Sequence, residues 1–158
     1  HTYMSYLKHL LRPFFHFFRS HFFALMAGYP ARKLQIIAVT GTDGKTTTCA
    51  MLYQMLTDQN LRVGLATTVL IASPGEQPVR NTTKITSLPP WTIQSFFKQC
   101  AKGKADIVII EASSVALHQY RMAGMRPYIA AVTNITREEQ AYHRNMKHYE
   151  KCKRMITR

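Results

Sequence analysis

The 158 residues suffice for one domain of ordinary size with its own core, and 46% hydrophobic against 18% charged residues exclude a disordered chain. Lys and Arg number 21 against 8 acids, a formal +13, so the surface favours anionic partners: nucleotides, nucleic acid or acidic lipid headgroups. Cys49, Cys100 and Cys152 are far apart and lack C-x-x-C pairing, which suggests neither a disulfide framework nor a zinc site and fits a reducing cytoplasm.

Residues 1–33 stand apart from the rest: they hold five Lys or Arg, no acid, and six of the eight phenylalanines. Pro13 is expected to open a helix there, with Phe14, Phe15, Phe18 and Phe22 on one face and Arg12 and Arg19 flanking. Such a helix suits either an anionic membrane interface or a protein surface. The uncharged run of residues 20–31 is 12 long, too short for a bilayer span of about 20.

From residue 34 short apolar runs alternate with helical stretches, the pattern of an α/β fold with a parallel sheet and helices on both faces. Strands are expected at 34–40, 63–71, 106–111 and 128–133, and helices at 45–57, 91–101 and 137–156. Residues 73–90 are polar and contain Pro and Gly. The chain therefore divides into an aromatic, basic helical segment at 1–33 and an α/β domain at 34–158. It begins with His1 and stops at Arg158 inside a helical pattern, which suggests a fragment.

Gly41-Thr42-Asp43-Gly44-Lys45-Thr46-Thr47, entered from Thr40, lies between an apolar strand and a helix, the context of a phosphate-binding loop. Its backbone N–H groups and the following helix N-terminus suit phosphate oxygens, and Gly41 and Gly44 permit close approach. Lys45 is expected to neutralise β/γ-phosphate charge and the Thr46 hydroxyl to ligate Mg²⁺, making ATP with Mg²⁺ the expected ligand. Val39 stands where the common loop has its first glycine, so this is a variant loop.

The loop resembles the T-G-T-N-G-K-T-T sequence of the Mur ligases, ATP-dependent enzymes that add amino acids to UDP-N-acetylmuramoyl peptides. Further segments agree in order: Glu111-Ala-Ser113-Ser114-Val-Ala-Leu117-His-Gln-Tyr-Arg121 is similar to E-x-S-S-x-x-L-x-x-x-R, and residues 131–136 to A-V-x-T-N-L-T. Tyr149 and Lys153 match the tyrosine and lysine of the next helix, and the tripeptide-synthetase branch resembles the chain most. The resemblance covers residues 34–158, the first part of that family's central ATPase domain.

It implies that Glu111 ligates a second Mg²⁺, that Ser113 and Arg121 hold the muramoyl substrate, and that Lys153 is the carbamylated lysine that positions Mg²⁺. Read from residue chemistry alone, Glu111 could instead cap the next helix, and Arg121 and Lys153 could be solvated charges. Glu138-Glu139 replaces the family's acid–histidine pair, making Glu139 a candidate Mg²⁺ ligand through oxygen. His143 matches a later histidine, but Arg144 replaces the glycine after it. Thr86-Ser87-Leu-Pro89 loosely matches the Thr-Thr-Pro substrate segment.

The resemblance implies an acid–amino-acid ligase of peptidoglycan synthesis that works through an acyl phosphate, cytoplasmic or peripheral to the inner membrane face. The fragment is expected to bind Mg·ATP without completing ligation. Two other readings stay open: a folylpolyglutamate-type ligase, and a non-catalytic, membrane-associated nucleotide-binding module using residues 1–33. Nucleic acid is not expected, because the aromatics cluster at one end and do not interleave with basic residues.

Overall fold

A computed structural model describes the backbone of residues 2–83, 86–136 and 146–157, with side chains from residue 12 onward. Four apolar runs form its central parallel strands: β1 (Ile36–Thr40), β2 (Val63–Ala66), β5 (Ile107–Glu111) and β6 (Ile129–Val132). Two antiparallel strands, β3 (Leu70–Ala72) and β4 (Val79–Arg80), extend one side, and the sheet order is β4-β3-β2-β5-β1-β6. The parallel expectation holds for the four strands that carry the site; the edge is a meander.

β1 is buried along its whole length because both sheet faces are covered, which is why it reads as a continuous apolar run. On one face α2 (Lys45–Thr57) packs Cys49, Leu52, Tyr53 and Leu56 over Ile37, Val39, Leu65 and Ile109. On the other, α3 (Pro90–Lys102) sets Ile93, Phe96 and Phe97 against Ile36, Ala38, Val108 and Ile110. The short α4 (Ser114–His118) and α5 (Met146–Arg154) pack together, and a 3-10 turn at Met155–Thr157 places Ile156 in that second core.

Two expected elements differ. The run at 63–71 is a hairpin: Thr67 Oγ1 accepts from Val69 N at 3.2 Å and Leu70 N at 2.9 Å and folds β3 back on β2. Helix α1 spans Thr2–Met26, so Pro13 lies within it and does not start it. Phe14, Phe15, Phe18 and Phe22 are exposed, while α1 packs on α3 through its other side. There Phe23 meets Trp91 edge-on at 5.8 Å, Phe17 meets Tyr120 at 5.3 Å, and buried Ser20 donates to the Gln119 carbonyl at 3.3 Å. No helix among the described residues is long and apolar enough to cross a membrane.

Candidate nucleotide site

The parallel pairing brings the carboxyl ends of four strands together, the usual ligand-binding edge of an open α/β sheet. Val39 pairs with Glu111, Thr40 with Val132, and Ala66 with Ile110, so the segments after β1, β2, β5 and β6 converge. Gly41 (φ 152°) and Gly44 (φ 75°) bend the β1–α2 loop into the start of α2. A Cβ at Gly41 would collide with Thr133 Oγ1, so glycine is needed there for close packing as well as for backbone conformation. Among the described residues no side chain caps α2, whose N-cap is Gly44, and its first turn holds no acid, so its leading N–H groups face the loop.

Residues from distant parts of the chain fix the loop. Asn134 Oδ1 accepts from Thr42 N at 3.0 Å and Asp43 N at 2.9 Å, and Thr133 Oγ1 donates to the Asp43 carbonyl at 2.6 Å. The Thr42 hydroxyl lies 2.9 Å from the Tyr149 hydroxyl and accepts from Thr136 N at 2.9 Å. Asp43 and Thr47 present exposed side chains.

Two lysines meet inside this frame. Lys45 Nζ donates to the carbonyls of Gly41 at 2.9 Å and Thr42 at 2.6 Å, and Lys153 Nζ donates to the same Gly41 carbonyl at 2.6 Å. Both lysines are buried. Lys153 also lies 4.5 Å from the Tyr149 ring centre, a cation–π contact. Two cations sharing one carbonyl at the head of an uncapped helix make a strongly anion-seeking loop.

Across the loop, the buried Glu111 carboxylate takes three donors on Oε2: Thr46 Oγ1 at 2.9 Å, Thr68 N at 2.9 Å and Thr68 Oγ1 at 3.1 Å. A hydroxyl and a carboxylate beside this loop are hard oxygen donors, the set that suits Mg²⁺. The negative charge of Glu111 adds to burial in pushing the Cys49 thiol up to about 12, against the opposing charge of Lys45.

The other expected residues sit next door. Ser113 caps α4, its Oγ accepting from Ala116 N at 3.1 Å, so the capping role lies with Ser113 while Glu111 points toward Thr46. Ser87 Oγ accepts from Ser113 N at 3.0 Å and donates to the Glu111 carbonyl at 3.3 Å. Arg121 Nη1 donates to the Ser87 carbonyl at 2.8 Å and its Nε to Gln119 Oε1 at 2.9 Å. Thr86, Ser87 and Glu111 line one narrow crevice. Glu138, Glu139, His143 and Arg144 lie outside the described residues. Thr68, Ser87 and Asn134 received no role from the sequence, although residues 131–136 and 86–89 had marked the segments holding two of them.

A family model described as the Mur ligase middle domain matches residues 39–158, most of the chain. The chain belongs to the Mur ligase middle-domain family. Relatives called UDP-N-acetylmuramoyl-L-alanyl-D-glutamate–2,6-diaminopimelate ligase include one from Buchnera aphidicola, 40% identical over 124 residues, covering 78% of this chain and 24% of the relative. Another, from Parabacteroides distasonis, is 34% identical over 128 residues, covering 80% of this chain and 26% of the relative. A solved structure of a ligase with that name superposes with a TM-score of 0.67 at 32% identity, covering 78% of this chain and 24% of that one. The chain thus spans about a quarter of the length of the curated relatives it matches.

Proposed function

We propose that this middle-domain chain is the ATP-binding part of an amide ligase of peptidoglycan precursor synthesis, one that adds an amino acid to a UDP-N-acetylmuramoyl peptide. The observation that carries the reading is the meeting of Lys45, Lys153 and the uncapped start of α2 on one loop, opposite the Thr46–Glu111–Thr68 cluster. In this reading a substrate carboxylate oxygen bonds to the terminal phosphorus as ADP leaves, and an amine then displaces phosphate from the acyl carbon.

The loop N–H groups and Lys45 hold the phosphates and spread their charge, the dominant requirement in phosphoryl transfer. Thr46 and Glu111 would hold Mg²⁺, with Glu139 a third oxygen ligand. When bound, the ion draws charge from the phosphate oxygens. Lys153, the carbamylation candidate, is held by Tyr149 and the Gly41 carbonyl at the same edge. Ser113 and Arg121, tied to Ser87, stand on the side from which the muramoyl carboxylate enters, with Thr86 bordering the approach.

In this reading the ligase works in the cytoplasm, and the names of its relatives support UDP-muramoyl peptide and a diamino acid as its substrates. Residues 34–158 form the ligase unit in this reading, and residues 1–33 an attached helical segment. The exposed row of Phe14, Phe15, Phe18 and Phe22, with Arg12 and Arg19 nearby, favours a second role for that segment as a peripheral contact to an anionic membrane. ADP release by the longest product of the gene tests the ligase reading. Stimulation by UDP-muramoyl peptide with diamino acid supports it; stimulation by folate and glutamate instead moves the chain to the folylpolyglutamate-type ligases.

A further inference from the structure

His118 ends α4, and His148 and Cys152 lie four residues apart on one face of α5. Packing of α4 on α5 brings one ligand atom from each within 4.8 Å of the others. Cys152 Sγ stands 3.8 Å from His148 Nε2, and the two imidazoles meet edge-on with centres 5.0 Å apart. Cys152 is buried and both histidines are half-buried, so the cluster has a dry side and an open side. His16 of α1 adds a third imidazole to this neighbourhood, and its buried Nδ1 has no hydrogen-bond partner among the described residues.

We infer that His118, His148 and Cys152 form a binding site for a borderline-soft transition metal of the Zn(II) class, distinct from the oxygen-lined site at Thr46 and Glu111. One thiolate and two imidazoles are donors that hard Mg²⁺ and Ca²⁺ do not select, whereas Zn(II) and Co(II) take them in tetrahedral geometry with the fourth position open to water. Ligand bonds of about 2.0–2.3 Å need donor atoms roughly 3.3–3.8 Å apart, so side-chain ends must close by about 1 Å. Binding forms a metal–sulfur bond and releases the Cys152 thiol proton to solvent. C-x-x-C spacing does not reveal the site, because its ligands are an i, i+4 pair and a residue thirty positions earlier.

The consequence reaches the phosphate loop. Tyr149 and Lys153, which touch Thr42 and Gly41, each follow a ligand directly in sequence. A metal joining α4 to α5 therefore pins the helix that braces the loop.

The test is titration of the untagged, EDTA-treated chain with Co(II), followed by optical absorption. A thiolate-to-cobalt charge-transfer band and tetrahedral d–d bands should saturate at one equivalent and vanish when Zn(II) is added. The charge-transfer band should be lost in Cys152→Ser, and affinity should fall on the order of tenfold or more in His118→Gln. Zn(II) should raise the melting temperature of the wild type and leave that of Cys152→Ser unchanged. Circular dichroism checks that Cys152→Ser is folded; if it is not, His118→Gln alone decides. Absence of a thiolate band in the wild type, or equal affinity in the variants, overturns the inference.

Discussion

Replacing Glu111 by Gln keeps the shape of the site and removes one charge. Glu111 is 2% exposed, and its Oε2 accepts from Thr46 Oγ1, Thr68 N and Thr68 Oγ1. Hydrogen bonds to a charged acceptor contribute about 1.5–3 kcal/mol each and neutral ones about 0.5–1.5, so each bond loses about 1 kcal/mol. A neutral amide is cheaper to bury, so the net loss is about 1–3 kcal/mol. For a chain of this size that lowers Tm by roughly 2–12 °C. Thermal denaturation without nucleotide measures this, and Mg²⁺ titrations of ATP binding measure the second effect. In the wild type Mg²⁺ should tighten ATP binding; in Glu111→Gln it should do so at least tenfold less, about 1.4 kcal/mol. An unchanged Tm together with unchanged Mg²⁺ dependence would refute the assignment of Glu111 as both clasp and metal ligand.

Other outcomes follow from the same geometry. Gly41→Ala drives a methyl group into Thr133 Oγ1 and should cost about 1–3 kcal/mol, read by urea denaturation. Burial pushes the Cys49 and Cys100 thiols from 9.0 up to about 12. Their pKa values are raised on folding, so the stability they contribute is fully present below pH 9 and is lost as pH climbs toward 12, by about 1.4 kcal/mol per pH unit for each thiol. Cys49→Ala should lose less stability across pH 9 than the wild type, and an identical loss would contradict the burial argument. Replacing Phe14, Phe18 and Phe22 together by Ser alters only exposed side chains, so folding should survive while sedimentation with anionic liposomes falls. Unchanged sedimentation would remove the membrane role.

The parts of the fold written plainly in the sequence are those whose residues answer to local physics. Helix α2 runs from Lys45 to Thr57, where β1 and its glycine loop are expected to feed a helix, and β1 and β5 read as buried runs because parallel strands are covered on both faces. The hairpin at Thr67 was hidden because its turn is made by a threonine hydroxyl, with no Gly or Pro to announce it. Pro13 misled as a start signal, since a proline inside a helix and one at its first turn look alike in sequence. At the site, Lys45 and Thr46 were legible from loop spacing. Thr68 and Asn134 were not, because their partners lie 43 to 92 residues away and only strand register brings them together.

The most direct test of the central claim is calorimetric titration of Mg·ATP into the wild-type chain and into Lys45→Ala, with circular dichroism confirming that the variant is folded. The phosphate-loop account predicts saturable binding to the wild type and a loss of at least tenfold, or about 1.4 kcal/mol, in the variant. Equal binding to both would contradict it.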